Sequence, residues 1–380
     1  MIRPFSIPWL IRVARDIRTA SAEDGVAIGG IARDLVALNL HNQLGVRAYF
    51  QYRLFDPRIS YREKKDYLPD TGRATHRLWS LLTPVQYRLP FRNKLVFNRI
   101  FGGQGLPVAR VFGVYDPRVG FTVDGEELRN AADLGRWMRQ APNNGFVFKA
   151  LFGIEGYQVL VLSGPAAEDP ASFTTLSGER INAERLVEFA RNTQELERLG
   201  ALEPESYLIE ERIRPHPVLA ELVGPTLCCC RVVTFIGLNG IPQILGAVYK
   251  IQPEPLGVDH LSYGAVGCWV DLESGALGPG RSRHHFGYTS VIPGTDKTFV
   301  GLKLPHWPQI KEVALRAASV LPWARAIGWD IAIADRGPVL IEGNAQWSTS
   351  LLQIPAPRGL MTGEFKSLCD TLAAAPAMQQ

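Results

Sequence analysis

The chain lacks any run of 18 or more apolar residues, so no segment reads as a membrane span. Its first residues do not read as a signal peptide, because Pro and Arg interrupt the apolar stretch. Cysteine is scarce, five in 380 residues, with no Cys-x-x-Cys spacing. Three of the five are adjacent, Cys228, Cys229 and Cys230. Neighbours on a strand point to opposite faces, so the triplet reads as buried apolar thiols in a reducing compartment. A GxxxxGK[ST] phosphate loop is missing, as is a GxGxxG fingerprint. No Ser/His/Asp set stands out. His284 and His285 are badly placed to share one zinc ion, and no third ligand is spaced near them.

What is present is an ordinary globular composition, 46% hydrophobic and 21% charged, in a chain long enough for two or three domains. The net charge of +4 is unevenly spread. The first 100 residues hold 17 Lys and Arg against 8 Asp and Glu. A basic region of this kind suits a membrane surface, nucleic acid, an anionic substrate or a solvated face. Residues 8–20 read as an amphipathic helix, with Trp9, Leu10, Val13 and Ile17 on one side and Arg12, Arg15 and Arg18 beside them. Packing on its own protein and resting on an anionic bilayer both suit it.

Residues 1–90 read as mostly helical. Helices are predicted over 93–101, 126–139, 181–199 and 310–321, and strands over 106–114, 145–151, 157–162 and 206–213. Residues 226–236 and 242–251 read as a long hairpin. The alternation argues for an α/β or α+β chain in several lobes.

Residues 328–344 carry the strongest chemical signal. They read as two short apolar strands joined by a turn at Asp335, Arg336, Gly337 and Pro338. Glu342 and Asn344 share a strand face by alternation, and pairing brings Asp330 beside them. Two carboxylates and an amide oxygen on one face form a set of hard donors that suits Mg²⁺ with nucleotide phosphates. Solvated acids at strand ends would give the same letters. Lys149 lies on an apolar strand followed by Gly153 and Gly156, whose backbone can approach phosphate oxygens. An edge-strand lysine beside a hairpin turn reads the same way. Glu210 and Glu211 end another apolar strand.

In order along the chain, Lys94, Lys149 with its glycines, Glu210 and Glu211, Arg231, then Asp330, Glu342 and Asn344 resemble the ATP-grasp superfamily. The resemblance covers about residues 93–353. Residues 299–307, 327–330 and 351–353 are similar to its sugar-transfer-associated group. The resemblance implies an α+β ATP-grasp fold, two α+β lobes clasping ATP behind a helical N-terminal region. The implied division is residues 1–90 as that region, 91–205 as the lid and central lobe, and 206–380 as the C-terminal lobe with the metal site. It implies ATP and Mg²⁺ as cofactors. Lys94 and Lys149 would contact phosphates, and Gly153 and Gly156 would close over them. Glu210, with Glu211 and Ile213 beside it, would hold the adenine. Arg231 and Lys149 would neutralise transition-state charge, and Asp330, Glu342 and Asn344 would hold the metal.

The sequence departs from the family pattern at two places. No acid follows the hinge closely to grip the ribose, which leaves His216 or Glu221. Gly328 stands where many ligases carry an arginine two residues before the metal Asp. The expected activity is amide formation between a carboxylate and an amine through an acyl phosphate. The substrates would be small molecules, sugar-linked or cell-envelope building blocks among them. A phosphotransferase and a nucleotide-binding or membrane-associated scaffold are the alternatives. Arg281 and the basic residues after it, up to Tyr288, are a candidate contact for an anionic acceptor. Ser262 and Gly264 are further candidates near the active site. The expected location is cytoplasmic, with peripheral contact at the inner membrane face, and no nucleic-acid partner is expected.

Overall fold

The computed structural model describes residues 7–375 except 154–156, 167–168, 199, 202, 253–264, 283–286 and 357. The chain opens with five helices, α1 (Ile7–Asp24), α2 (Ile28–Asn42), α3 (Val46–Gln51), α4 (Tyr61–Lys64) and α5 (Arg73–Leu82). Their shared core is aromatic, built on Tyr49, Phe50, Phe55 and Tyr67, and it includes Ile354 from the far end of the chain. Ser60 caps α4 in a reciprocal box with Glu63. A buried Lys64–Asp34 pair at 2.7 Å crosses this core. Ile17 of α1 packs against the core and Ile11 is exposed, so the amphipathic helix lays one side on its own protein. Among the described residues no helix is long and apolar enough to cross a membrane.

Helix α6 (Lys94–Gly103) leads to the first sheet. Its strands are β1 (Val111–Tyr115), β2 (Phe121–Thr122), β3 (Phe146–Ala150), β4 (Val159–Ala166), β5 (Asp169–Thr175), β6 (Arg180–Ile181) and β7 (Tyr207–Glu211), in spatial order β2-β1-β7-β3-β4-β5-β6. All pairs are antiparallel. One face is covered by α7 (Ala131–Met138) and α8 (Ala183–Arg191), which bury Leu134, Met138, Leu186 and Ala190 against Phe146, Phe148 and Ile209. A short helix α9 (Gln194–Arg198) follows. β7 lies between β1 and β3, so residues 207–211 belong to this sheet.

After α10 (Pro217–Val223) the second sheet is assembled from β8 (Cys229–Ile236), β9 (Pro242–Ile251), β10 (Val266–Val270), β11 (Leu277–Arg281), β12 (Ala326–Ala334) and β13 (Gly337–Asn344). Its order is β11-β10-β9-β8-β12-β13, again antiparallel. Helix α11 (Trp307–Val320) buries Ile310, Ala314 and Ala317 on one face, joined by Phe97 and Phe101 of α6. Helices α12 (Thr349–Gln353) and α13 (Gly363–Ala374) close the chain, and α13 packs with α5 on the opposite face around Trp79, Trp347 and Phe365. The architecture is therefore α+β, with a helical N-terminal region before two helix-covered antiparallel sheets. The cysteine triplet alternates as expected: Cys228 and Cys230 join the helix-side core, and Cys229 faces the other way. All five cysteines are buried and none is in a disulfide among the described residues.

Several sequence expectations need correcting. The segment expected as one helix over 181–199 divides, because Ile181 belongs to β6, Asn182 caps α8, and α9 starts afresh at Gln194. The helix expected from 126 begins at Ala131, where Asn130 accepts from the Asp133 amide. The strand expected from 106 begins at Val111. The stretch before it crosses to the second sheet, where the Leu340 amide donates to the Pro107 carbonyl at 2.7 Å. The turn expected over four residues needs only Asp335 and Arg336. Gly337 and Pro338 already pair with Ala334 and Ile333. Pro338 is tolerated there because β13 is an edge strand.

Asp70 ties the N-terminal region to the C-terminal one. Its carboxylate accepts from the Ser348 hydroxyl at 2.7 Å, the Ser350 amide at 2.9 Å and the Ser350 hydroxyl at 2.9 Å. Asp70→Ala should cost about 2 kcal/mol, since charged acceptors carry the stronger hydrogen bonds. An unchanged denaturant midpoint would show that this bracing is not needed.

Candidate functional site

Strand β12 is nine residues long and buried throughout. Ile327, Trp329, Ile331 and Ile333 face the helix-side core. Alternation turns Gly328, Asp330 and Ala332 to the other face. There a carboxylate without partners would be costly. Its cross-strand neighbour on β8 is Arg231, whose Nε donates to Oδ1 at 2.8 Å and Nη2 to Oδ2 at 2.7 Å. Lys250 of β9 brings Nζ within 3.3 Å of Oδ1. Burial alone would raise the Asp330 pKa, but Arg231 and then Lys250 outweigh it and hold the carboxyl well below the usual range.

On the other side Asp330 is paired in register with Glu342 of β13. A register shift follows between Asp330 and Ile331. Such irregularities re-aim side chains beside functional sites. The Asn344 amide donates to Glu342 Oε1 at 3.3 Å and to the Gly328 carbonyl at 3.4 Å. Asp330, Glu342 and Asn344 therefore do converge. Gly328 is required by packing, because a Cβ there would lie 2.7 Å from Trp347 Cβ and 3.1 Å from Arg231 Cδ. The space before Gly328 is thus filled from the neighbouring strand by Arg231.

The first sheet contributes from its helix-free face. Lys149 of β3 and Glu210 of β7 are both buried and form an ion pair. Lys94 lies at the junction between the sheets. It is the first residue of α6, whose opening amides are capped by Asn93. Its main-chain amide donates to the Leu151 carbonyl at 3.1 Å, and its Nζ donates to the Gly153 carbonyl at 2.8 Å. Gly153 allows that approach, for a Cβ would stand 3.3 Å from the ammonium. Lys94, Gly153, Glu342 and Asn344 line one small cleft with Asn93. Burial pushes the Lys94 ammonium down to about 8; Glu342 opposes the shift, Lys149 adds to it and Glu210 opposes it.

The structure places the other candidates as follows. Ile213 packs with Cys229, Ala332 and Val339 in an apolar patch next to the charged cluster. Glu211 faces away from Lys149 and pairs with Arg336 at 2.9 Å, lining a separate cavity of about 580 Å³ with Arg110 and Asn144. His216 is taken up by local structure: it caps α10 by accepting from the Val218 amide at 3.2 Å, and its ring meets His306 edge-on at 5.5 Å. Arg231 is engaged with Asp330. Lys250 was missed in the sequence, although it shows the same signal as Lys149, a lysine inside an apolar strand. Gly156, Ser262, Gly264, His284 and His285 lie outside the described residues.

The donor set fits Mg²⁺ in kind, being two carboxylates and an amide on one face. Asp330 and Glu342 are balanced by Arg231 and Lys250 before any ion enters, so the protein side offers little net negative charge. A divalent ion would then depend on the phosphates that accompany it.

Two tests follow from this geometry. Arg231→Met strips Asp330 of its bidentate partner and should destabilise the fold by about 3–5 kcal/mol. A variant as stable as wild type in chemical denaturation would contradict the pairing. The depressed Lys94 means that the folded chain binds fewer protons than the unfolded one between about pH 8 and its ordinary 10.5. This lysine therefore costs stability at neutral pH, and the cost fades as pH rises. Binding of a phosphate group beside it should take up a proton above pH 8. Calorimetry in buffers of different ionisation enthalpy measures that uptake, and none at pH 8.5 would rule out contact with Lys94.

A family model described as sugar-transfer associated ATP-grasp matches residues 73–368. No curated protein matches the sequence. Solved structures with a similar fold include D-alanine–D-alanine ligase from Helicobacter pylori, at 11% identity and a TM-score of 0.41, over 77% of this chain and 63% of that one. Phosphoribosylamine–glycine ligase from Thermotoga maritima matches at 13% identity and a TM-score of 0.41, over 76% and 56%. The biotin carboxylase domain of the Hydrogenobacter thermophilus 2-oxoglutarate carboxylase, solved with MgADP and bicarbonate, matches at 13% and 0.41, over 75% and 46%. The chain spans about half the length of several solved structures that it matches.

Proposed function

Because the chain belongs to the sugar-transfer-associated ATP-grasp family, we propose that it is an ATP- and Mg²⁺-dependent ligase that joins a carboxylate to an amine. The observation that carries the reading is the shared cleft of Lys94, Gly153, Glu342 and Asn344, which brings a cation at the edge of the first sheet to the acid and amide of the second. Lys94 and Lys149 bind the phosphates. The nucleotide base lies on the apolar patch of Ile213, Cys229 and Ala332. Glu342 and Asn344 are the principal metal donors, and Asp330 joins them while braced by Arg231 and Lys250. Bound there, Mg²⁺ would neutralise charge on the phosphates.

The chemistry needs no protein nucleophile. A carboxylate oxygen of the substrate attacks the γ-phosphorus and ADP leaves, giving an acyl phosphate. An amine attacks the acyl carbon, inorganic phosphate leaves, and an amide remains after the amine loses a proton. The protein's part is positioning, charge neutralisation and exclusion of water from the acyl phosphate.

Glu342→Gln keeps the shape of the side chain and removes its charge. It should abolish Mg-ATP turnover while leaving the unfolding transition in place. Wild-type ADP release by the folded variant would refute the assignment. Amine-dependent phosphate release from an acid substrate supports ligation, and accumulation of a stable phosphorylated acid would count against it. Since Asp330 and Glu342 are balanced by Arg231 and Lys250, Mg²⁺ titrated alone should bind at least tenfold more weakly than with ADP present. Equal affinity in the two calorimetric titrations would contradict that arrangement.

A further inference from the structure

Between Asp70 and Asp116 the chain carries seven Lys and Arg and no acid. Part of this stretch enters the functional cleft, where Lys94 already has a role and Arg92 has none. Phe91 seats the segment on the end of β13. Its ring lies against Gly343, where a Cβ would stand 2.8 Å from Phe91 Cδ1, and it meets Trp329 edge-on at 5.9 Å. Gly343 stands between Glu342 and Asn344 on the strand and faces away from them. The Arg92 amide donates to the Leu89 carbonyl at 3.0 Å, which closes the turn behind it. With Phe91 fixed on one face of this edge strand, Arg92 follows at its outer edge. There it lines the cleft of Lys94, Gly153, Glu342 and Asn344.

The cations of the site differ in what they already hold. Lys149 is paired with Glu210, Arg231 and Lys250 with Asp330, and Lys94 donates to the Gly153 carbonyl. Arg88, in the turn before Arg92, donates to the Thr83 carbonyl at 2.8 Å. The Arg92 guanidinium has no ion pair or side-chain hydrogen bond among the described residues. Its place along β13 narrows what it can meet. Val339 belongs to the apolar patch that takes the base. Gly343 is four residues further on, past Glu342, which is about 13 Å at the rise of a strand. Arg92 therefore stands at the end of the cleft away from the base.

We propose that Arg92 contacts the γ-phosphoryl group of the nucleotide and holds it through transfer to the substrate carboxylate. This rests on the ligase reading above and names the residue that grips the moving group. As the phosphorus leaves the β-phosphate oxygen and bonds to the carboxylate oxygen, its three other oxygens carry the charge. A planar guanidinium donates to two of them at once in a fixed geometry, which an ammonium does not. Position 328 offers no side chain for this contact, and Arg231 is held by Asp330 through both Nε and Nη2.

The full chain is titrated by calorimetry with MgADP and with the magnesium complex of the imido analogue of ATP, which keeps a γ-phosphoryl group and does not transfer it. Arg92→Gln should weaken binding of the imido analogue about tenfold and leave that of MgADP within about twofold. Arg92→Lys, which keeps the charge without the fork, should recover part of the loss. Lys149→Ala should weaken both nucleotides, because the phosphates it meets are common to both. Arg92 is exposed, so Arg92→Gln should unfold at the wild-type midpoint, and the selective loss is then not structural. The same loss for both nucleotides, or a loss for neither, overturns the role of Arg92 and leaves the ligase reading standing. Wild-type protein that binds neither nucleotide sinks the ligase reading and the role of Arg92 with it.

Discussion

A buried carboxylate held between two cations organises the functional half of this protein. Asp330 lies in the middle of a strand with no exposed residue, and removing its charge from water is tolerated only because Arg231 and Lys250 meet it from the next two strands. That requirement fixes the register of β8, β9 and β12 on one face. It leaves Glu342, in register on the open side, with a neighbour whose charge is already balanced. Glycine at position 328 is required first by Trp347 and then by the Arg231 side chain that passes it on the way to Asp330.

Around this cluster the face is apolar. Trp79, Trp347 and Phe365 fill one end, and Cys229, Ala332, Val339 and Ile213 fill the other. The polar patch between them is therefore narrow. Lys94 is held at the junction by a main-chain bond to Leu151 and a side-chain bond to Gly153. A cation in that place suits a lobed nucleotide site, because a small movement between the sheets changes what the ammonium faces.

The helical N-terminal region is part of the same construction. Asp70 accepts hydrogen bonds from Ser348, Thr349 and Ser350 in the segment that follows β13. Gln51 and Ile354 share the Arg281 guanidinium. Ile354 itself lies in the aromatic core of the first helices. The region is thereby packed against the half that carries the second sheet by contacts more than 200 residues apart in the chain.

Much of the local structure was legible in the sequence. Strand alternation placed Glu342 and Asn344 together, the apolar context marked Lys149, and the alternating cysteines read correctly as core. These are short-range consequences of backbone period, which residue order determines directly. Helix and strand ends were less legible, because capping by Asn130 and Asn182 competes with a longer apolar period. What only the tertiary structure decided was partnership. Arg231 is committed to Asp330, Lys250 joins them, His216 caps a helix, and Glu211 turns to Arg336. A charge shows its type in the sequence, but the energy of burying it depends on which opposite charge lies within a few ångströms. Folding sets that distance between residues far apart in the chain.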